Sequence, residues 1–132
     1  MIVVDTNILM FIASPAPSAT LLERVRFRDA VWIAPKVWRS EMRNALAGYI
    51  RATGMSAERA TALVQEAEDL LTIEVESTTE LIFQLVETSK CSAYDLEFVA
   101  LATDRNLQFV TFDKQVLREF PEIAVHPADF VA

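Results

Sequence analysis

The chain has 132 residues, 52% of them hydrophobic, enough to bury a core as one domain over residues 1–132 without disulfides or structural metals. Twelve basic and 19 acidic residues give a net charge of −7, which argues against a protein that coats nucleic acid by bulk attraction. Its single cysteine, Cys91, cannot form an internal disulfide; no leader pattern precedes the first strand, and no apolar run nears the roughly 18 residues of a membrane span, so the expectation is a cytoplasmic protein.

The chain opens on Met1-Ile2-Val3-Val4, an apolar, β-branched run suited to a strand buried on both faces of a parallel sheet. It leads without a linker into Asp5-Thr6-Asn7. In parallel sheets the ligand crevice lies at the carboxyl ends of the strands, so these three side chains are expected there. The alternative is that Asp5 or Thr6 only caps a helix starting near Ile8.

Pro15 and Pro17 break the pattern, and Ser18 is a candidate N-cap for a helix over Ala19 to Arg28, followed by a buried strand from Ala30 to Ala34. Pro35 opens a long helix to about Thr53, with apolar residues from Val37 to Ile50 recurring at three and four and Gly54 as its stop. Glu41 shares a helix face with Val37, Trp38 and Ala45, so an inward-looking surface carries a carboxylate. Such a group is costly unless it is paired or binds a cation.

Ser56 caps a further helix through Leu71, and Thr72 to Glu76 alternates like an edge strand with Ile73 and Val75 inward and Glu74 and Glu76 outward. Thr78 or Thr79 starts a helix ending near Lys90. Cys91 reads as a small core-edge residue. Ser92 and Asp95 form a capping box with Asp in place of the usual Glu or Gln, ahead of an apolar helix face; Asp95 reads as a cap, as a carboxylate presented at the sheet edge, or as both together. Leu107 to Thr111 is the next strand, and Asp113 follows it as Asp5 follows the first. A short helix over Lys114 to Glu119, a strand over Ile123 to Val125 and a turn after Pro127 complete the chain, with His126 read as structural.

Charge is unevenly placed. Between Leu21 and Ala60 eight basic residues face four acids, whereas from Thr61 onward 14 acids face four basic residues. Lys36, Arg39 and Arg43, which lie near Glu41 in sequence, are the candidate phosphate contacts.

The alternating strands and helices predict a three-layer α/β/α sandwich with a mostly parallel central sheet, whose carboxyl rim gathers Asp5, Asp95 and Asp113 with Glu41 facing in from a flanking helix. Oxygen-only ligands suit Mg²⁺ or Mn²⁺, and such a site activates water for in-line displacement at phosphorus. With only Gly48 and Gly54 in the chain, a Gly-rich phosphate cradle is excluded.

Val4-Asp5-Thr6-Asn7, the segment Arg39 to Leu46 around Glu41, Tyr94-Asp95 with Phe98 to Ala102, and Thr111-Phe112-Asp113 together resemble PIN-domain ribonucleases, most closely the VapC-type toxins of type II toxin–antitoxin pairs. The resemblance implies that Asp5, Glu41, Asp95 and Asp113 are the catalytic, metal-binding acids, with Asn7 and Thr111 as polar supports. It further implies an RNA substrate, an antitoxin that blocks the site, and a homodimer. Two rivals are a PIN-fold module that only binds a partner protein, and a haloacid-dehalogenase-like phosphatase whose second aspartate would fall on Asn7.

Overall fold

The computed structural model describes residues 1–11 and 18–132. Five strands form one parallel sheet: β1 Ile2–Val4, β2 Trp32–Pro35, β3 Leu71–Val75, β4 Phe109–Val110 and β5 Ala124–Val125, in the order β3-β2-β1-β4-β5. Every residue of β1, β2 and β4 is buried, as expected for strands covered on both faces.

The helices are α1 Thr6–Met10, α2 Ser18–Arg28, α3 Val37–Thr53, α4 Ala57–Leu70, α5 Thr79–Val86, α6 Ala93–Arg105, α7 Lys114–Glu119 and α8 Pro127–Phe130. The chain runs from β1 to β2 to β3 in one direction and from β4 to β5 in the other, so the strand order reverses between β1 and β4. A ligand crevice forms at that reversal, outside the carboxyl ends of these two strands. Asp5 follows β1 and Asp113 closely follows β4, so the topology alone brings these two acids to one place.

Most elements lie where the sequence puts them, and the departures have physical causes. Pro15, Pro17 and the capping role of Ser18's side chain lie outside the described residues. β2 sits further along than Ala30 to Ala34, leaving Ala30 and Val31 exposed and pairing Pro35 with Val75 at its end. On the edge strand β3, Val75 packs on the core and Glu76 is exposed as expected, but Ile73 is 40% exposed and Glu74 is half-buried, where Arg39 reaches across to pair with it. The stop of α3 is as expected: Gly54 takes a left-handed conformation at φ 73° and donates its N–H to Ile50 O.

Trp38, Met42 and Leu46 form the buried stripe of α3, and α6 buries Leu96 and the run from Phe98 to Ala102. Together with β1, β2 and β4 they make a continuous apolar core. The acid-bearing turns stand on the rim of that core, held by the buried elements that flank them.

Candidate metal centre at the carboxyl rim of the sheet

Asp5 leaves β1 in an extended conformation and caps α1: its Oδ1 accepts the Ile8 N–H at 3.1 Å, and its Oδ2 accepts the Thr111 hydroxyl. The capping and crevice readings therefore both hold for this residue. Thr111, wholly buried, also accepts the Asp113 N–H at 3.0 Å, so one hydroxyl ties the turns after β1 and β4 together. Asp113 in turn caps α7, its Oδ1 accepting the Val116 N–H at 2.9 Å.

Glu41 projects from the second turn of α3, half-buried, and accepts the Thr6 hydroxyl at 2.7 Å. Asp95 stands in the first turn of α6, where Ser92 Oγ accepts its N–H at 3.1 Å and the helix amides favour a carboxylate. Asp5, Glu41 and Asp95 line one cleft of about 230 Å³ with Thr6, Asn7 and Asn44. Asp113 is not among its lining residues but lies close enough for its charge to act on Asp5.

Electrostatics bind the four into one group. Asp5 is only 9% exposed, and burial pushes its pKa up to about 6; the Thr111 hydroxyl and the Ile8 amide oppose that rise, while the charges of Asp113 and Glu41 add to it. Glu41 is raised as well, by burial first and by the charge of Asp95, against the lowering effect of Thr6. The carboxylates thus repel one another in a cleft with no cationic side chain in its lining among the described residues.

Oxygen donors of this kind fit a hard divalent cation, whose charge would offset that repulsion. Among the described residues no three acidic, histidine or cysteine side chains converge tightly enough to grip one ion together. Such an arrangement is compatible only with an ion that keeps several of its own waters.

The expected supporting residues divide. Thr111 orients Asp5, but Asn7 is exposed at the cleft and bonds to none of the four acids among the described residues. Thr6 takes the orienting role instead, through a partner 35 residues away that no local pattern reveals. Asn44 was missed, although its place three residues after Glu41 puts it on the same helix face. For the metal-dependent activity proposed below, Thr6→Val is expected to lower the rate by roughly 10- to 100-fold, as loss of a bond orienting a metal-site carboxylate does. It should also move the acidic limb of the pH–rate profile upward, because the hydroxyl holds the Glu41 pKa down; an unmoved limb would make Thr6 structural only.

None of the three cations assigned to phosphate lines the cleft. Lys36 lies 4.0 Å from Glu76. Arg39 pairs with Glu68 at 3.2 Å and with Glu74, and its guanidinium stacks over the Trp38 ring at 4.9 Å. It lashes α3 to α4 and β3, and a phosphate could recruit it only by breaking those bonds. Arg43, exposed, stands with Arg39 along the groove between α3 and α4. His126 caps α8, its Nδ1 accepting the Ala128 N–H at 3.1 Å, in keeping with a structural role.

A family model described as PIN domain matches residues 2–123. No curated protein matches the chain. Among solved structures, PAE2754 from Pyrobaculum aerophilum is similar at a TM-score of 0.78 and 15% identity, covering 98% of this chain and 92% of that one. A toxin-antitoxin complex from Klebsiella pneumoniae follows at 0.72 and 16%, covering 96% and 98%, and FitAcB from Neisseria gonorrhoeae at 0.66 and 19%, covering 97% and 99%. At these identities the likeness is one of fold.

Proposed function

Because this chain belongs to the PIN domain family, we propose that it is a Mg²⁺- or Mn²⁺-dependent endoribonuclease, cytoplasmic and the toxin of a toxin–antitoxin pair. The observation that carries this reading is the coupled carboxylate group at the point where the strand order reverses: Asp5, Glu41, Asp95 and Asp113, each positioned by a different element.

In this reading the four acids hold a divalent cation, directly or through water. The cation, when bound, supplies charge neutralisation at the phosphate and an activated water for in-line attack. The chain's own part is positioning. Thr111 and the α1 amide fix the two oxygens of Asp5, and Thr6 fixes Glu41. Glu41, with its raised pKa, is placed to orient water and take its proton. The likeness of fold to a toxin-antitoxin complex supports a protein partner, and we extend the proposal to a partner that masks the cleft and to a homodimer.

For the substrate contacts, Arg43 and Lys36 are the cations of α3 proposed to meet phosphates. Arg43→Ala is expected to weaken RNA binding and to lower the slope of log affinity against log salt by about 1. Arg39→Ala should leave that slope near wild type and instead cost about 1 kcal/mol of stability through its lost ion pairs. If Arg43→Ala leaves both affinity and slope unchanged, this face is solvated surface.

The proposal as a whole is tested by brief expression of the protein alone followed by sequencing of RNA ends. New internal ends at a recurring site are expected with wild type and not with Asp5→Asn. A wild-type pattern identical to that of Asp5→Asn would favour a module that only binds a partner.

A further inference from the structure

Beside the carboxylate cleft lies a second concavity of about 340 Å³, walled by Asn7, Met10, Phe11, Tyr49 and Phe112. Asn7 lines both, so the two cavities are neighbours. Its walls are tied through the chain to the acid site. Phe11 stands one helical turn after Asn7, and Phe112 lies between Thr111 and Asp113. Tyr49 is eight residues beyond Glu41 on α3, with Ala45 of the cleft halfway between, which puts it roughly 80° round the helix from Glu41 and about 12 Å along the axis.

The chemistry of this pocket is unlike that of its neighbour. Among the described residues no charged side chain lines it, so its walls suit a flat uncharged ring better than a phosphate. Phe11 and Phe112 meet at 4.9 Å between centroids, and His126 braces Phe112 edge-on at 5.1 Å, giving a fixed back wall. The Tyr49 ring is 45% exposed and pairs with no other ring among the described residues. The volume falls within the range of small-ligand sites.

We propose that this pocket is a nucleobase subsite, taking one unstacked base of a single-stranded RNA from a nucleotide that flanks the bond held at the carboxylate cleft. Tyr49 is the stacking platform, Phe11 and Phe112 form the apolar wall, and the Asn7 amide offers a donor and an acceptor to the base edge. The inference rests on the ribonuclease reading and adds a source of sequence preference to it. It also selects single strands, since a base must leave its own stack to enter.

The test uses a short single-stranded RNA cleaved at one bond, with a series carrying one abasic nucleotide at successive positions around that bond. Tyr49→Ala should lower kcat/KM by roughly 5- to 150-fold, the cost of one base–aromatic stack, and Tyr49→Phe should restore most of it. At one abasic position the wild type should fall by the same factor, and its difference from Tyr49→Ala should vanish. A 2-aminopurine placed there should be quenched on binding wild type or Tyr49→Phe but not Tyr49→Ala. If cleavage proceeds while Tyr49→Ala is unimpaired, or is impaired equally at every abasic position, the subsite is wrong and the ribonuclease reading stands. If wild type cleaves no RNA with either cation, that reading fails and the subsite falls with it.

Discussion

Asp5→Asn is expected to lower RNA cleavage by roughly 10³-fold, the several kcal/mol that a catalytic cation contributes at 1.36 kcal/mol per tenfold, without unfolding the protein. The substitution preserves shape. The amide oxygen can still accept the Ile8 N–H, so α1 keeps its cap, and the amide nitrogen can donate to the Thr111 hydroxyl oxygen, which already accepts from Asp113 N. What is removed is a negative charge buried against Asp113 and Glu41. Cleavage therefore collapses while the metal-free variant melts no lower than wild type at neutral pH. Glu41→Gln, Asp95→Asn and Asp113→Asn are expected to follow in activity, and full activity in any one of them would remove that residue from the assignment.

The second large effect is on stability against pH in the absence of metal. Asp5 has a folded pKa of about 6 against an ordinary value of 3.8. Below about pH 4 both states carry the proton. Between there and pH 6 the unfolded chain releases it and the folded chain keeps it, so stability falls as pH rises through this window and levels off above it. Asp5 alone accounts for roughly 3 kcal/mol of that loss, and Glu41, also raised, adds in the same direction. The other carboxylates also titrate over this range, so the measurement is the difference in unfolding free energy between wild type and Asp5→Asn from pH 4 to 7. It should grow in favour of the variant by about that amount, and a flat difference would mean that Asp5 is not held protonated. Free Mn²⁺ at ten times its dissociation constant should return about 1.4 kcal/mol to wild type, and less to Asp113→Asn.

Much of this site is legible in the sequence because each acid sits at a place marked by a local pattern. Asp5 closes an apolar β-branched run, Asp113 closely follows another, Asp95 follows a serine cap, and Glu41 interrupts a helical stripe. The sheet follows from the same runs, and their buried, parallel character places β1 at its centre. The parts that were not legible depend on contacts between distant segments. The bond from Thr6 to Glu41 and the ion pairs of Arg39 join elements that share no sequence period. A pattern of three and four carries Tyr49 and Ile50 to the inner face of α3, yet both are exposed, because the buried stripe ends at Leu46 and the last two turns run beyond the core. An apolar period reports which face a residue occupies, and tertiary packing decides whether anything covers it.

The same limit applies to charge. Counting basic residues along the chain marks the stretch from Leu21 to Ala60 as a candidate RNA face, but Arg39 is engaged with Glu68 and Glu74 and none of the three named cations reaches the cleft. Among the described residues no cationic side chain lines the cleft, so in the proposed reaction phosphate neutralisation there would fall to a bound cation, with the protein's own cations at a distance from the reacting bond.

The most direct test of the carboxylate cleft as a metal-dependent ribonuclease site is cleavage of an end-labelled single-stranded RNA by the purified protein, titrated with Mn²⁺ or Mg²⁺ and then with excess chelator. Internal cleavage that rises with the cation and stops on chelation is the predicted result. No cleavage at any cation concentration, or cleavage that continues unchanged in chelator, would contradict it.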